Sequence, residues 1–398
     1  MKKSHSKNIL ILTTLLPLLF ATGCQKNTHK TVKVGLLHSL TGAMAISEVP
    51  LRDAELLAIE EINEKGGVLG RKIVPVEKDG KSNPTKFAEN ARKLITEDKV
   101  ATVFGCWTSN SRKAVKPIFE EYYNLLWYPL QYEGMEASPN IMYIGASPNQ
   151  QIVPAIEWCT ANVGKKLYLI GSDYLYPRTA HKIIKKQMAV CNGTIVGEDY
   201  VPMNQTDFSS IIKDIKAAKP DIIINTLNGN SNISFFKQLK NAGISSANTP
   251  VMSFSISESD VPYIGIENLS GHYTSWNYYE TVDTFRNKEF VYNYKEKFGQ
   301  DKNIGDPVEA AYVSVYLWAA ACEKAGTFEI EPIRIAAKGL SYDAPEGLVT
   351  IEGSNQHLNK TIRIGTFSNE GKIIEVWSTP STVRPDPYLS TYSWAKGL

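Results

Sequence analysis

Short apolar runs alternate with longer stretches of helical spacing from Thr31 onward. The runs at 32–37, 73–77 and 100–104 predict strands. Between them, residues 51–63 repeat their apolar positions at helical spacing and stop at Gly66-Gly67, a helix-ending signal. Asn83 predicts a helix cap with Pro84 in the first turn, where a missing N–H costs nothing, and that helix runs to about Thr96. The stripe Val115, Ile118, Phe119 and Tyr122 predicts a helix over 112–122, with Pro117 placed to kink it. A further apolar run, Leu125-Leu126-Trp127, follows.

The rhythm restarts after Asn149. Helices are predicted at 151–161, 178–190, 208–218 and 233–241, and strands at 166–170, 194–200, 221–226 and 251–254. The tail changes character, with helices at 284–298 and 308–325 and short strands at 348–351, 361–367 and 373–377. Repeated βα units predict an α/β fold of Rossmann-like halves, with parallel sheets covered on both faces. Two such halves without a low-complexity linker predict a hinge of several crossing strands.

The chemistry concentrates where strands end. One strand runs into Gly105-Cys106-Trp107-Thr108-Ser109, the next into Tyr128-Pro129-Leu130-Gln131-Tyr132. In open α/β sheets the edge beyond the carboxyl ends of strands is where ligands bind. Trp107, Tyr128, Tyr132, Tyr174 and Tyr176 all fall in strand-to-helix connections, which suggests walls that exclude water from a small polar ligand. Thr108, Ser109, Ser39 and Thr41 sit beside the free N–H groups of helix starts; simple N-capping is the alternative for each. There is no GxSxG, HExxH or P-loop, and Gly35 with Gly42 does not fit GxGxxG. The six histidines are scattered singly and read as structural or solvated. The pattern predicts a binding protein for something small and neutral, with no catalytic residue, cofactor or metal.

Composition narrows the partners. The formal charge of +2 becomes −1 once Lys2, Lys3 and Lys7 of the leader are taken off, and no basic block remains for nucleic acid. Those lysines precede an apolar run at 9–20 and the small residues Ala21-Thr22-Gly23, the pattern of a secretory signal peptide over 1–23. The run is short for a membrane span. Cys106, Cys159, Cys191 and Cys322 are too widely spaced for a zinc ribbon or a CxxC pair. Buried free thiols are expected, with a disulfide between Cys159 and Cys191, formed on export, as the alternative.

Ala21-Thr22-Gly23-Cys24 resembles a bacterial lipobox, which implies cleavage before Cys24, lipid on its thiol and a tether over 24–30. Val34-Gly35-Leu36-Leu37-His38-Ser39-Leu40-Thr41-Gly42 and Asn63-Glu64-Lys65-Gly66-Gly67-Val68-Leu69-Gly70 resemble the type I periplasmic binding proteins of the branched-chain amino-acid-binding superfamily. Four segments are similar to the urea and short-chain amide branch. They are Gly105–Ser109 with Arg112-Lys113-Ala114-Val115, Tyr128–Gly134, Gly171–Arg178, and Arg384-Pro385-Asp386-Pro387-Tyr388.

The resemblance implies two lobes joined by three crossings, one over 31–148 and 276–345, the other over 149–275 and 346–398. It implies ligand contacts from Trp107, Ser109 and Tyr128 on the first lobe, and from Tyr174, Tyr176 and Ser255 on the second. Amino-acid binders of the superfamily place an acid near the Ser255 position to hold an ammonium. Here Ser255 stands there with Glu258 three residues on, while Leu130 replaces a hydroxyl of some amide binders. The implied protein is an exported, lipid-anchored receptor for urea or a short-chain amide, on the outer face of the cytoplasmic membrane or in the periplasm. It would serve ABC permease subunits with a cytoplasmic ATPase. An amide or branched-chain amino-acid sensor and an extracellular amide hydrolase are the other readings.

Overall fold

The computed structural model describes Met1, Lys3 and residues 30–398. The expected cleavage site, Cys24 and all of the tether except Lys30 lie outside the described residues. The first half runs β1 (Thr31–His38), α1 (Ala45–Glu64), β2 (Lys72–Asp79), α2 (Pro84–Thr96), β3 (Val103–Gly105), α3 (Ser109–Glu121), β4 (Leu126–Tyr128) and β5 (Ile141–Tyr143). Then come α4 (Ile152–Asn162), β6 (Lys166–Ser172), α5 (Leu175–Val190), β7 (Thr194–Val201), α6 (Ser209–Ala218), β8 (Ile222–Thr226), α7 (Ser231–Asn241) and β9 (Val251–Ser253). Two single-turn helices, α8 (Val261–Ile264) and α9 (Ile266–Leu269), lead to β10 (Tyr273–Trp276). The remainder is α10 (Phe285–Phe298), α11 (Asp306–Ala325), α12 (Ile330–Ala337), β11 (Ser341–Ala344), β12 (Gly347–Ile351), β13 (Leu358–Asn359), β14 (Arg363–Phe367) and β15 (Ile373–Ser378).

These elements make two α/β lobes. One sheet is parallel throughout, in the order β2-β1-β3-β4-β5. The other has the order β15-β14-β10-β9-β8-β6-β7, parallel from β10 to β7, with β14 antiparallel to both its neighbours. Local sequence explains the elements. Asn83 Oδ1 caps α2 by accepting from the N–H groups of Thr85 and Lys86 at 2.9 and 3.2 Å. The inward face of α2 is Phe87, Ala91 and Leu94. Helix α11 is buried around most of its surface, Leu317 and Trp318 included, so it fills the first lobe's core.

The structure corrects several expectations. Helix α1 begins at Ala45, six residues before the position read from its pattern, because Pro50 lies inside the helix and hides its start. Pro117 likewise sits within α3, which continues to Glu121. Residues 346–359, expected in the second lobe, pack with the first: Val349, Ile351 and Leu358 share its core, and His357 bridges to Tyr143 of β5. Only the segment from Arg363 onward joins the second sheet. The expectation of free thiols agrees with the structure for both Cys159 and Cys191, though Cys191 is half-buried; Cys159 faces the core of its lobe, where burial pushes its thiol pKa up.

Three chain crossings join the lobes, and Asn277 fastens them to one another. From the second crossing its amide donates to Gln150 O in the first at 3.3 Å and to Thr361 O in the third at 2.9 Å. Lys360, fully buried, adds a bond to Ile144 O at 3.1 Å and an ion pair with Glu346 at 2.8 Å.

Candidate functional site: the cleft between the lobes

The loops after β3 and β4 face those after β6, β8 and β9 across the cleft. Gly105 (φ +138°) and Cys106 (φ +66°) turn the chain sharply at the end of β3. A Cβ on Gly105 would stand 2.1 Å from the Leu37 carbonyl oxygen, so only glycine fits. The turn delivers Trp107, then Thr108 as the cap of α3, its hydroxyl accepting from Ser111 N–H at 3.1 Å. Thr108 therefore has the capping role. Ser109, the first helical residue, is left to point elsewhere. The hydroxyls of Ser39 and Thr41 are also occupied within their lobe: Ser39 Oγ accepts from Ser82 N–H at 3.0 Å, and Thr41 donates to Asp79 at 2.7 Å.

Behind Ser109 lies a buried ion cluster that the sequence reading did not assemble. The Arg112 guanidinium, fully buried, donates to Glu133 Oε1 at 2.6 Å and to Glu136 Oε1 at 2.9 Å. Its Nη1 also donates to Ser109 Oγ at 3.1 Å and to Tyr128 Oη at 3.4 Å. The Ser109 hydroxyl donates to the other Glu133 oxygen. The Tyr128 hydroxyl donates to Trp107 O at 2.6 Å. The guanidinium also stacks over the Tyr132 ring, 4.7 Å from its centroid. Lys113 pairs with Glu136 at the cluster's edge. Burial works against the charge on Arg112, but Glu133, Tyr128 and Glu136 outweigh it and hold the guanidinium protonated. Despite its burial, Glu136 is brought down to about 2 by Arg112 and Lys113.

The second lobe answers with aromatic rings and amides. Tyr174 and Tyr176 lie with ring centres 6.5 Å apart, and Tyr176 O–H donates to Gln151 Oε1 at 3.3 Å. Burial raises both phenol pKa values; Glu133 and Tyr128 of the opposite lobe add to the shift in each, so both rings stay neutral. Among the described residues two side-chain hydrogen bonds cross the cleft: Trp107 Nε1–H to Asn228 Oδ1 at 3.3 Å, and Gln131 Nε2–H to Phe254 O at 2.9 Å. Gln131 Oε1 and the neighbouring Ser255 Oγ are buried without a protein partner among the described residues. An outer cleft of about 360 Å³ opens over Met44, Glu48, Thr108, Ser111 and Tyr174. Of the six residues singled out by sequence, only Tyr174 lines that opening; Trp107, Ser109, Tyr128, Tyr176 and Ser255 are buried.

Glu258 does not line this cleft. Its Oε1 accepts from Glu280 N–H at 2.8 Å, it lines a separate hollow with Val261 and Lys295, and burial raises its carboxyl pKa. No three His, Cys, Asp or Glu side chains converge as a metal site among the described residues. Asn228→Ala removes one of the two cross-cleft bonds and is expected to weaken closure by about 1 kcal/mol. X-ray scattering should then report a larger mean radius of gyration than for the unaltered chain.

Two α/β lobes meeting over polar groups at the carboxyl ends of their strands define a clamp-type ligand-binding protein. The chain belongs to the periplasmic binding protein domain family, whose sequence pattern it matches over residues 32–394. It is similar to the "Leu/Ile/Val-binding protein homolog 7" of Brucella suis, 24% identical over 373 residues that cover 88% of this chain and 92% of that one. Among solved structures it resembles a solute-binding protein of an ABC transporter from Rhodopseudomonas palustris BisB5, bound to 3,4-dihydroxybenzoic acid. That likeness has a TM-score of 0.80 at 24% identity and covers 90% of this chain and 99% of that chain. The branched-chain amino-acid binder LivJ of Streptococcus pneumoniae, bound to isoleucine, has a TM-score of 0.77 at 23% identity and covers 89% and 100%. These likenesses establish the fold. The family is one of exported proteins, and no helix among the described residues is long and apolar enough to cross a membrane.

Proposed function

We propose that this chain is an extracytoplasmic receptor that closes on urea or a short-chain amide and delivers it to an ABC permease. The observation that carries this reading is the charge balance of the buried groups at the inner end of the cleft. Its one guanidinium, Arg112, is already matched by two carboxylates, and the unpartnered atoms are the neutral oxygens of Gln131 and Ser255. A ligand rich in N–H groups and free of charge satisfies those oxygens; a carboxylate or an ammonium finds no unpaired counter-ion beside them. The carboxyl of Glu258 lines a separate hollow, and the Glu48 carboxylate at the outer cleft is already taken by Ser39 N–H and His38. Trp107, Ser109 and Tyr128 form one jaw, and Tyr174, Tyr176 and Ser255 the other. The neutral phenol of Tyr174 serves as a donor for the ligand's carbonyl oxygen, while Tyr176 gives its proton to Gln151 Oε1.

Urea offers four heavy atoms, and a ceiling of about 1.5 kcal/mol per atom gives roughly 6 kcal/mol, a Kd of tens of micromolar at best. Calorimetry with urea, acetamide and leucine tests the reading. Urea or acetamide is expected to bind and leucine not to; binding of leucine alone would make this a branched-chain amino-acid receptor, as the names of its relatives suggest. Lipid on Cys24 would hold the receptor at the membrane. Labelled fatty acid is expected to enter the wild-type chain and not Cys24→Ala.

A further inference from the structure

The two hydroxyls of the first jaw are polarised in one direction. Ser109 Oγ donates to Glu133 and accepts from Arg112 Nη1 at 3.1 Å. Tyr128 Oη donates to Trp107 O at 2.6 Å, with Arg112 Nη1 at 3.4 Å as a donor to it. A hydroxyl carries one proton and two lone pairs. Both protons point into the protein, and what each oxygen retains for the chamber is acceptor capacity. Gln131, whose Nε2 is bonded to Phe254 O, likewise leaves its Oε1. The first jaw is thus an acceptor surface, and the group that makes Ser109 part of it is Glu133, 97% buried on its side chain.

We propose that Glu133 is the specificity-determining residue of this receptor: by taking the Ser109 proton and balancing Arg112, it makes the first jaw accept only N–H donors and turn away carboxylates. The inference rests on the reading of the protein as a urea or amide receptor and names the group that enforces it. A ligand oxygen brought to Ser109 meets a lone pair backed by a carboxylate, whereas a ligand N–H meets an acceptor strengthened by that same carboxylate. Glu136 shares Arg112 without touching Ser109, which supplies an internal control with the same change of charge.

The test measures the affinities of urea, acetamide, acetate and benzoate for the unaltered chain and for Glu133→Gln, Glu136→Gln and Ser109→Ala, with melting temperatures as a check on folding. For Glu133→Gln the ratio of urea to acetate affinity is expected to fall at least tenfold, because a guanidinium left with Glu136 as its one carboxylate, itself shared with Lys113, then lies behind a serine free to donate. For Glu136→Gln the ratio is expected to stay within about twofold. An unchanged ratio in Glu133→Gln, or an equal fall in both variants, overturns the proposal while leaving the receptor reading intact. If the unaltered chain binds a carboxylate and neither urea nor acetamide, the receptor reading falls as well. Should Glu133→Gln not fold, Ser109→Ala decides alone. It is expected to bind urea at least fivefold more weakly and still exclude acetate, and an unchanged urea affinity overturns the relay.

Discussion

Arg112→Met is expected to destabilise the first lobe by about 3–5 kcal/mol. The substitution keeps most of the volume and removes the only cation among the described residues that bonds Glu133, so the harm comes from charge. Glu133 and Glu136 are 97% and 98% buried on their side chains and would face each other without the guanidinium. Lys113 still reaches Glu136, but no lysine pairs with Glu133. The stack on Tyr132 and the bonds to Ser109 and Tyr128 disappear as well. Thermal melts should show a drop of several degrees, at roughly 2–4 °C per kcal/mol for chains of this order of size. Adding Glu133→Gln and Glu136→Gln to Arg112→Met should recover much of the loss, since the cost is uncompensated charge. A triple variant as unstable as Arg112→Met alone would show that the guanidinium acts through packing.

Alkaline pH is expected to weaken the same lobe through His38. The ring is fully buried between Glu55 at 2.9 Å and Glu48 at 3.7 Å. Burial alone would lower its pKa, but the two carboxylates outweigh burial and raise it from 6.5 to about 9. The folded state therefore holds this proton more tightly than the unfolded chain. The resulting stability, about 3 kcal/mol at 1.36 kcal/mol per pKa unit, is fully present below pH 6.5 and is lost as pH rises through 9. Denaturant titrations between pH 6 and 10 should show that decline. His38→Gln should remove most of this slope and start from a lower plateau. Because Glu48 also lines the outer cleft and accepts from Ser39 N–H at 2.7 Å, the ligand should bind more weakly over the same interval.

The sequence made the architecture readable wherever an element carried its own signal. Alternating periods placed most of the major strands and helices, and Gly105 marked the turn that carries Trp107 and Ser109 into the cleft. Elements whose pattern was too short or too polar did not show: β10, with Thr274 and Ser275 in four residues, and β5, with three residues, are strands because of their neighbours. Residues 346–359 were misplaced because a short hairpin strand says nothing about which core it joins. At the site, single residues were legible and relations between them were not. Arg112 lies one turn beyond Ser109 on α3, so the two share a helix face, a signal available from spacing alone. That Glu133 closes the set follows only from the path of the loop after β4. His38 was read as structural or solvated; it is structural, and it gains its charge from Glu48 and Glu55 of the next helix.

The wrapping of α11 against α1 has a consequence for the order in which the molecule can be made. Tyr312 and Tyr316 donate to Glu61, 251 and 255 residues earlier in the chain. The second sheet likewise waits for β14 and β15 to lie beside β10. A nascent chain released only as far as residue 300 has already produced α1 but not α11, the helix that packs along it. Both lobes therefore finish late and almost together, in the slow regime of contacts distant along the chain. A polypeptide destined for export leaves the ribosome with neither lobe able to close, which keeps it threadable until its last quarter has been synthesised.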